Sequence, residues 1–155
     1  MILLVMLVGI TAAAAEKSKF DWVDRDKLTA DARANLDIFE KRLRDTRWYV
    51  MYCPPDVNQV VSYDPTRVTK VEASTFRIWY RVDMPDTDDV FDWYLEHKLL
   101  NCSNLNVKQL RVIDYDKNAL KTDKTVAKPK WEELIPGSVG EGVGIEICRI
   151  LLQVE

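Results

Sequence analysis

The stretch from Trp131 to Arg149, WEELIPGSVGEGVGIEICR, constrains the fold of this chain more than any other. Pro136 and Gly137 break whatever precedes them, because proline lacks a backbone donor and glycine admits left-handed backbone. Ser138 then stands where its hydroxyl caps a helix, and Glu141 completes the S-x-x-E pattern by reaching back to the Ser138 amide. Val139, Val143 and Ile147 recur at helical spacing, and Ile150 and Leu151 continue the apolar stripe. Gly140, Gly142 and Gly144 each cost about 1 kcal/mol relative to alanine in a helix interior. A helix so diluted is not stable alone. The rest of the chain must supply a surface for it, and the glycines permit close approach to that surface.

With 155 residues, the chain can bury about two thirds of its unfolded surface around one core. A net charge of −3 argues against a protein built around nucleic-acid phosphates. Residues 2–15, ILLVMLVGITAAAA, form an uncharged apolar run that ends in small residues compatible with Ala-x-Ala cleavage after Ala14 or Ala15. We read residues 1–15 as a secretory signal peptide, although no Lys or Arg leads it. The run is shorter than the roughly 20 residues a membrane-spanning helix needs, so no transmembrane segment is expected in the mature chain. The first cysteine is Cys53, so no lipid anchor is expected at the signal junction. An oxidising destination favours one disulfide among the three cysteines, which residue identity alone allows in three ways.

Residues 16–47 read as an N-terminal helical extension and 48–155 as the main domain. From Asp24 to about Arg47, Leu28, Ala32, Leu36, Phe39 and Leu43 share one helical stripe. Asp37 with Lys41 and Glu40 with Arg44 make acid-first pairs on the other side. Such a helix ordinarily docks on its own domain; a partner-binding or dimerising arm is the alternative. The period then switches to strands. WYVMYC (48–53), stopped by Pro54-Pro55-Asp56, and QVVSY (59–63), stopped by Asp64-Pro65, form a hairpin. RVTKVEAS reads as a short strand or connection. In TFRIWYRVDM (75–84), Phe76, Ile78, Tyr80 and Val82 alternate with Arg77, Trp79 and Arg81, giving one buried face and one partly solvated face. WYLEHKLLNC (93–102) and VKQLRVIDY (107–115) are further strands, followed by a short segment around Leu120 and a polar run to Trp131.

Little catalytic chemistry is in view. His97 is the only histidine and no cysteines lie close together, so no metal site, haem or other cofactor is expected. A nucleophile pair of His97 and Cys102 fails on geometry, because five residues apart on one strand they point to opposite faces. Asp83, Asp86, Asp88, Asp89 and Asp92 crowd one loop, but the glycine and terminal glutamate of an EF-hand are missing. The strongest candidate contact surface is the basic run Lys117, Lys121, Lys124, Lys128 and Lys130, suited to acidic protein segments, sulfated glycan or anionic lipid headgroups. A charge run of this kind is otherwise a solvated loop. Trp79 or Trp93 exposed on an open sheet face would mark an interface more strongly.

Trp48-Tyr49-Val50, Tyr63-Asp64-Pro65, Cys102, Tyr115-Asp116-Lys117-Asn118, Trp131, Ile135 through Glu141 and Cys148 together resemble the surface-adhesin protein E family of Gram-negative bacteria. The resemblance spans roughly residues 48 to 148. It implies an α+β fold: a single antiparallel sheet of about six strands, with a C-terminal helix held on one face by a disulfide matching Cys102 and Cys148. The amphipathic helix of 16–47 is additional to it. Cys53 is then a leftover thiol, expected to pack as a small hydrophobe. The resemblance also implies an envelope location and binding of extracellular proteins. The functional expectation is an exported, non-enzymatic, adhesin-like binding module, periplasmic, outer-membrane-associated or extracellular. It would have a protein partner, no nucleic acid, and a homodimer as a possible state. A periplasmic structural or envelope-maintenance protein without host contact is the alternative.

Overall fold

A computed structural model describes residues 18–85, 93–116 and 119–153. A 3-10 turn, Arg25–Lys27, precedes helix α1 (Ala30–Leu43). Eight strands follow: β1 (Tyr49–Tyr52), β2 (Val60–Tyr63), β3 (Thr69–Glu72), β4 (Thr75–Asp83), β5 (Trp93–Asn101), β6 (Asn106–Asp116), β7 (Ala119–Thr125) and β8 (Glu132–Glu133). Helix α2 (Val139–Leu152) completes the described chain. The strands form one antiparallel sheet ordered β1-β2-β4-β5-β6-β7, with β3 also beside β4 and β8 also beside β6. The sheet is therefore six strands wide, and both flanking rows are broken in the middle.

The break between β2 and β3 is the Asp64-Pro65 turn read from sequence. Asp64 is fully buried, and its Oδ1 accepts from the Thr66 amide at 3.0 Å and the Thr66 hydroxyl at 2.6 Å. Pro65 opens a 3-10 turn there, a position that needs no backbone donor. The other carboxylate oxygen lies 2.5 Å from Arg47 Nε and 3.6 Å from Arg67 Nε without a hydrogen bond, so the buried charge is offset by ion pairing alone.

Helix α2 lies across one face of the sheet. Ser138 Oγ accepts from the Glu141 amide at 3.1 Å, as expected of the cap. The return bond differs from the expectation. Glu141 Oε2 accepts from the Gly137 amide at 2.7 Å, because the Ser138 amide is already given to the Ile135 carbonyl. Gly137 has φ +75°, which explains a glycine there. Val143, Ile147 and Cys148 are buried against Val61, Tyr63, Phe76, Ile78, Tyr80, Val82 and Leu100. Cys148 is bonded to Cys102 with Cα atoms 5.4 Å apart, which pins the glycine-rich helix to the end of β5.

Helix α1 occupies the opposite face, at the β1–β2 side. Its expected stripe of Leu28, Ala32, Leu36, Phe39 and Leu43 is buried with Phe20, Val50, Val57 and Val60 in a second core. Burying each large side chain contributes roughly 1.5–3 kcal/mol, so docking on its own sheet accounts for the amphipathic pattern. The helix starts later than the Asp24 read from sequence. Thr29 is its N-cap, with Oγ1 accepting from the Ala32 amide at 3.2 Å, while Asp24 caps the separate 3-10 turn. Asp37 and Glu40 meet Arg25, at 2.9 and 2.7 Å, where sequence spacing suggested Lys41 and Arg44.

The polar run after Leu120 holds a further difference. Residues 119–125, read only as a short segment, form the full edge strand β7. Its side chains are nearly all exposed, so no buried stripe marks it. The expected signal peptide, residues 1–15, lies outside the described residues.

Candidate binding surface

Strand alternation puts Phe76, Ile78, Tyr80 and Val82 under α2 and turns Arg77, Trp79, Arg81 and Asp83 to the other side. Cross-strand register then builds rows on that second face. Asp83, Trp93 and Tyr115 are aligned, as are Arg81, Leu95 and Ile113, and then Trp79, His97 and Arg111. A register shift in the β5–β6 pairing after His97 sets Lys108 opposite Leu99, which itself pairs with Arg77. The four rows extend for about 20 Å along the strands. Helix α1 reaches only the corner of this surface, where Arg42 Nη1 lies 3.5 Å from Asp83 and donates to the Met84 carbonyl at 2.9 Å. Trp79, Trp93, Leu95, Leu99 and Tyr115 belong to neither core. Among the described residues, neither helix core includes the greater part of the β4–β6 face: Trp79, Trp93, Leu95, His97, Leu99 and Tyr115 are half-buried among their neighbours, Arg81, Asp83 and Ile113 are buried, and Arg77 is exposed.

The aromatic groups on it are organised in pairs. Trp79 stacks on His97 with centroids 4.3 Å apart, and Trp93 on Tyr115 at 3.8 Å, both pairs nearly parallel. The Arg81 guanidinium covers the other side of Trp93 at 4.3 Å while donating two bonds of 2.7 Å to Asp83. Arg111 makes a bidentate pair with Asp123 on β7, and Lys108 sits 4.7 Å over the Trp131 ring. Burial, then the nearby Arg77 and Arg111 charges, lowers the His97 pKa, so the ring is a neutral stacking partner near neutral pH.

A concavity of about 280 Å³ lies between α2 and the sheet, lined by Tyr80, Tyr94, Glu96, Lys98, Leu134 and Val143 among others. Glu96 and Lys98 are 2.7 Å apart and satisfy each other. Burial, then Glu96 and Asp114, pushes the Tyr94 hydroxyl up to about 12, and burial raises Tyr80 as well, so both phenols are neutral donors.

The fold is similar to that of Haemophilus influenzae protein E. One crystal form of that protein matches at 16% identity over 65% of this chain and 87% of the other, with a TM-score of 0.48. A second structure gives 17% identity, 65% and 84% coverage and a TM-score of 0.48. The protein from a non-typeable strain gives 16%, 67% and 78%, with a TM-score of 0.49. No family model and no curated protein matches the sequence.

The disulfide that the protein E resemblance implies, Cys102 to Cys148, is present. Lys117 lies outside the described residues; Lys121 is 3.0 Å from Asp116; Lys124 is on β7, and Lys128 and Lys130 follow it in the exposed connection to β8. His97 and Cys102 fall on opposite faces, the first against Trp79 and the second in the α2 core. Cys53 is a half-buried free thiol against the α1 core. Of the acidic loop, Asp83 is buried and bound by Arg81 and Arg42, and residues 86–92 lie outside the described residues. Arg77, Arg111, Lys108 and Leu95 were missed as surface candidates. Alternation in residues 75–84 placed Arg77 beside Trp79, but only register brings Arg111 and Lys108 to them.

Proposed function

We propose that this chain is an exported, non-catalytic binding module, adhesin-like in acting through contact with extracellular or envelope proteins. The observation that carries the reading is the β4–β6 face, where half-buried aromatic and aliphatic side chains and the exposed Arg77 are ordered by the sheet and belong to neither helix core. A contiguous surface of that composition is suited to an interface, in which aromatic and arginine side chains dominate contact energy. Support for export comes from the signal-like run of residues 1–15, and support for an envelope setting from the residues that resemble the protein E family. A non-enzymatic role accords with the charged groups of this face, most of which are spent on one another.

A photo-crosslinking residue placed at Leu95 or Trp79 in living cells tests the reading. Discrete protein adducts are expected from both positions, and few from Lys128 as a control. No adduct from the face would overturn it. Protease treatment of intact cells separates the locations: release of peptides from this chain supports surface adhesion, whereas complete protection would favour an envelope-maintenance role inside the outer membrane.

A further inference from the structure

If the β4–β6 face is the contact surface of the binding module, its side chains also restrict what it contacts. From their arrangement we infer that the face binds an acidic peptide segment carrying apolar side chains. Three features of the surface converge on that partner.

The first is the orientation of the rings. Trp79 and His97 take each other's faces, and Trp93 is held between Tyr115 and Arg81. Stacking takes one face of Trp79, His97 and Tyr115 and both faces of Trp93, so the edges are what all four rings still offer, and the edge of an aromatic ring carries the positive part of its quadrupole. Edges attract carboxylate and carbonyl oxygens. Nucleobases instead require free ring faces to stack on, as single-stranded nucleic acid does, and Trp93 has none left.

The second is charge. Among the described residues, Arg77, Arg81, Arg111 and Lys108 stand on or beside this face against Asp83 and Asp123, in a chain whose net charge is −3. Arg77 is exposed, and no described carboxylate pairs with it or with Lys108, so the Leu99 row has two cations for a partner's acids. Local excess of one sign selects and steers a partner of the other.

The third is the aliphatic middle. The half-buried Leu95, set beside the buried Ile113, and the half-buried Leu99, between Arg77 and Lys108, alternate with the ring pairs. A polymer with charge alone, such as a sulfated glycan, leaves those leucines hydrated. A peptide that alternates acids with apolar side chains fills both kinds of position, because successive residues of an extended segment can meet apolar and cationic rows in turn.

The test uses the mature chain and three probes: a glutamate–tyrosine copolymer, poly-glutamate and heparin. Indole N–H resonances of Trp79 and Trp93 report contact with the face. The copolymer is expected to shift both, to weaken as salt is raised, and to bind about tenfold less well to the Arg77→Glu, Lys108→Glu double variant. Lys121→Glu with Lys124→Glu, on the edge strand, is expected to leave it unchanged. The inference is overturned if the copolymer fails to bind, if heparin or poly-glutamate shifts the indoles equally, or if the double variant binds normally. A wild-type dimer dissociated by Leu95→Asp also overturns it, by giving the face to a second copy. Protein adducts from positions 79 and 95 alongside a silent copolymer defeat only the partner chemistry; silence in both experiments defeats the binding module as well.

Discussion

Gly144 and Leu134 pack so closely that a β-carbon at residue 144 would lie 2.7 Å from Leu134 Cδ1. Gly142, two residues before it in the same helix, faces open space. Alanine at 142 should therefore stabilise the protein by about 1 kcal/mol through helix propensity alone. At 144 the same gain is offset by displacing Leu134, so Gly144→Ala should be neutral or destabilising, by up to about 2 kcal/mol. Urea denaturation of the two variants checks this. Equal stabilisation by both would mean that the close approach of α2 to Leu134 is not needed.

Breaking the Cys102–Cys148 bond should cost about 4 kcal/mol in the chain-entropy model, given the sequence separation of 46 residues. Cys148→Ser, Cys102→Ser and the double variant should melt alike, since each removes the same cross-link. A Cys148→Ser protein with unchanged melting would show that α2 is held without its latch.

Acid should destabilise the fold through His97. Burial and the neighbouring arginines hold its pKa below the ordinary value of about 6.5, so folding favours the neutral ring. That contribution is complete above about pH 6.5 and is lost as pH falls through the lowered folded value. The melting temperature of His97→Gln should decline less between neutral pH and pH 5 than that of wild type. An identical decline would place the acid sensitivity elsewhere.

Cys53 should be a slow thiol in the native protein. Burial, with a smaller contribution from Asp56, pushes its pKa up from 9.0 to about 11. Its thiolate fraction near pH 8 is then about 100-fold below that of an ordinary cysteine. Iodoacetamide labelling should be slow in the folded state and fast in denaturant without reductant, with one thiol modified. Two or more reactive native thiols would contradict both this assignment and the disulfide.

Much of this architecture was legible because its signals are local. Ser138, Glu141 and Gly137 announce α2, Asp64-Pro65 announces a turn, and the alternation of Phe76 through Val82 announces a strand with two unlike faces. Where local signals compete, sequence reading was less accurate: Asp24 and Thr29 are both capping residues, and only packing decides that α1 begins after the second. The edge strand β7 has no buried face to generate a pattern. The β4–β6 surface was legible only in part, because Trp79 and Trp93 could be suspected singly. Alternation does not say which residues meet across strands. The stacking of Trp79 on His97 and the alignment of Lys108 with Leu99 depend on register and on the shift after His97.

Carbene footprinting of Trp79, Trp93 and Leu95, in the purified chain and in intact cells, tests most directly whether the β4–β6 face is the contact surface. All three should label in dilute purified protein and become protected several-fold in cells. Trp22 and Ile135, which lie off that face and are 56% and 73% exposed, should label in both settings. Equal labelling of the β4–β6 face in cells and in isolation would contradict the binding role.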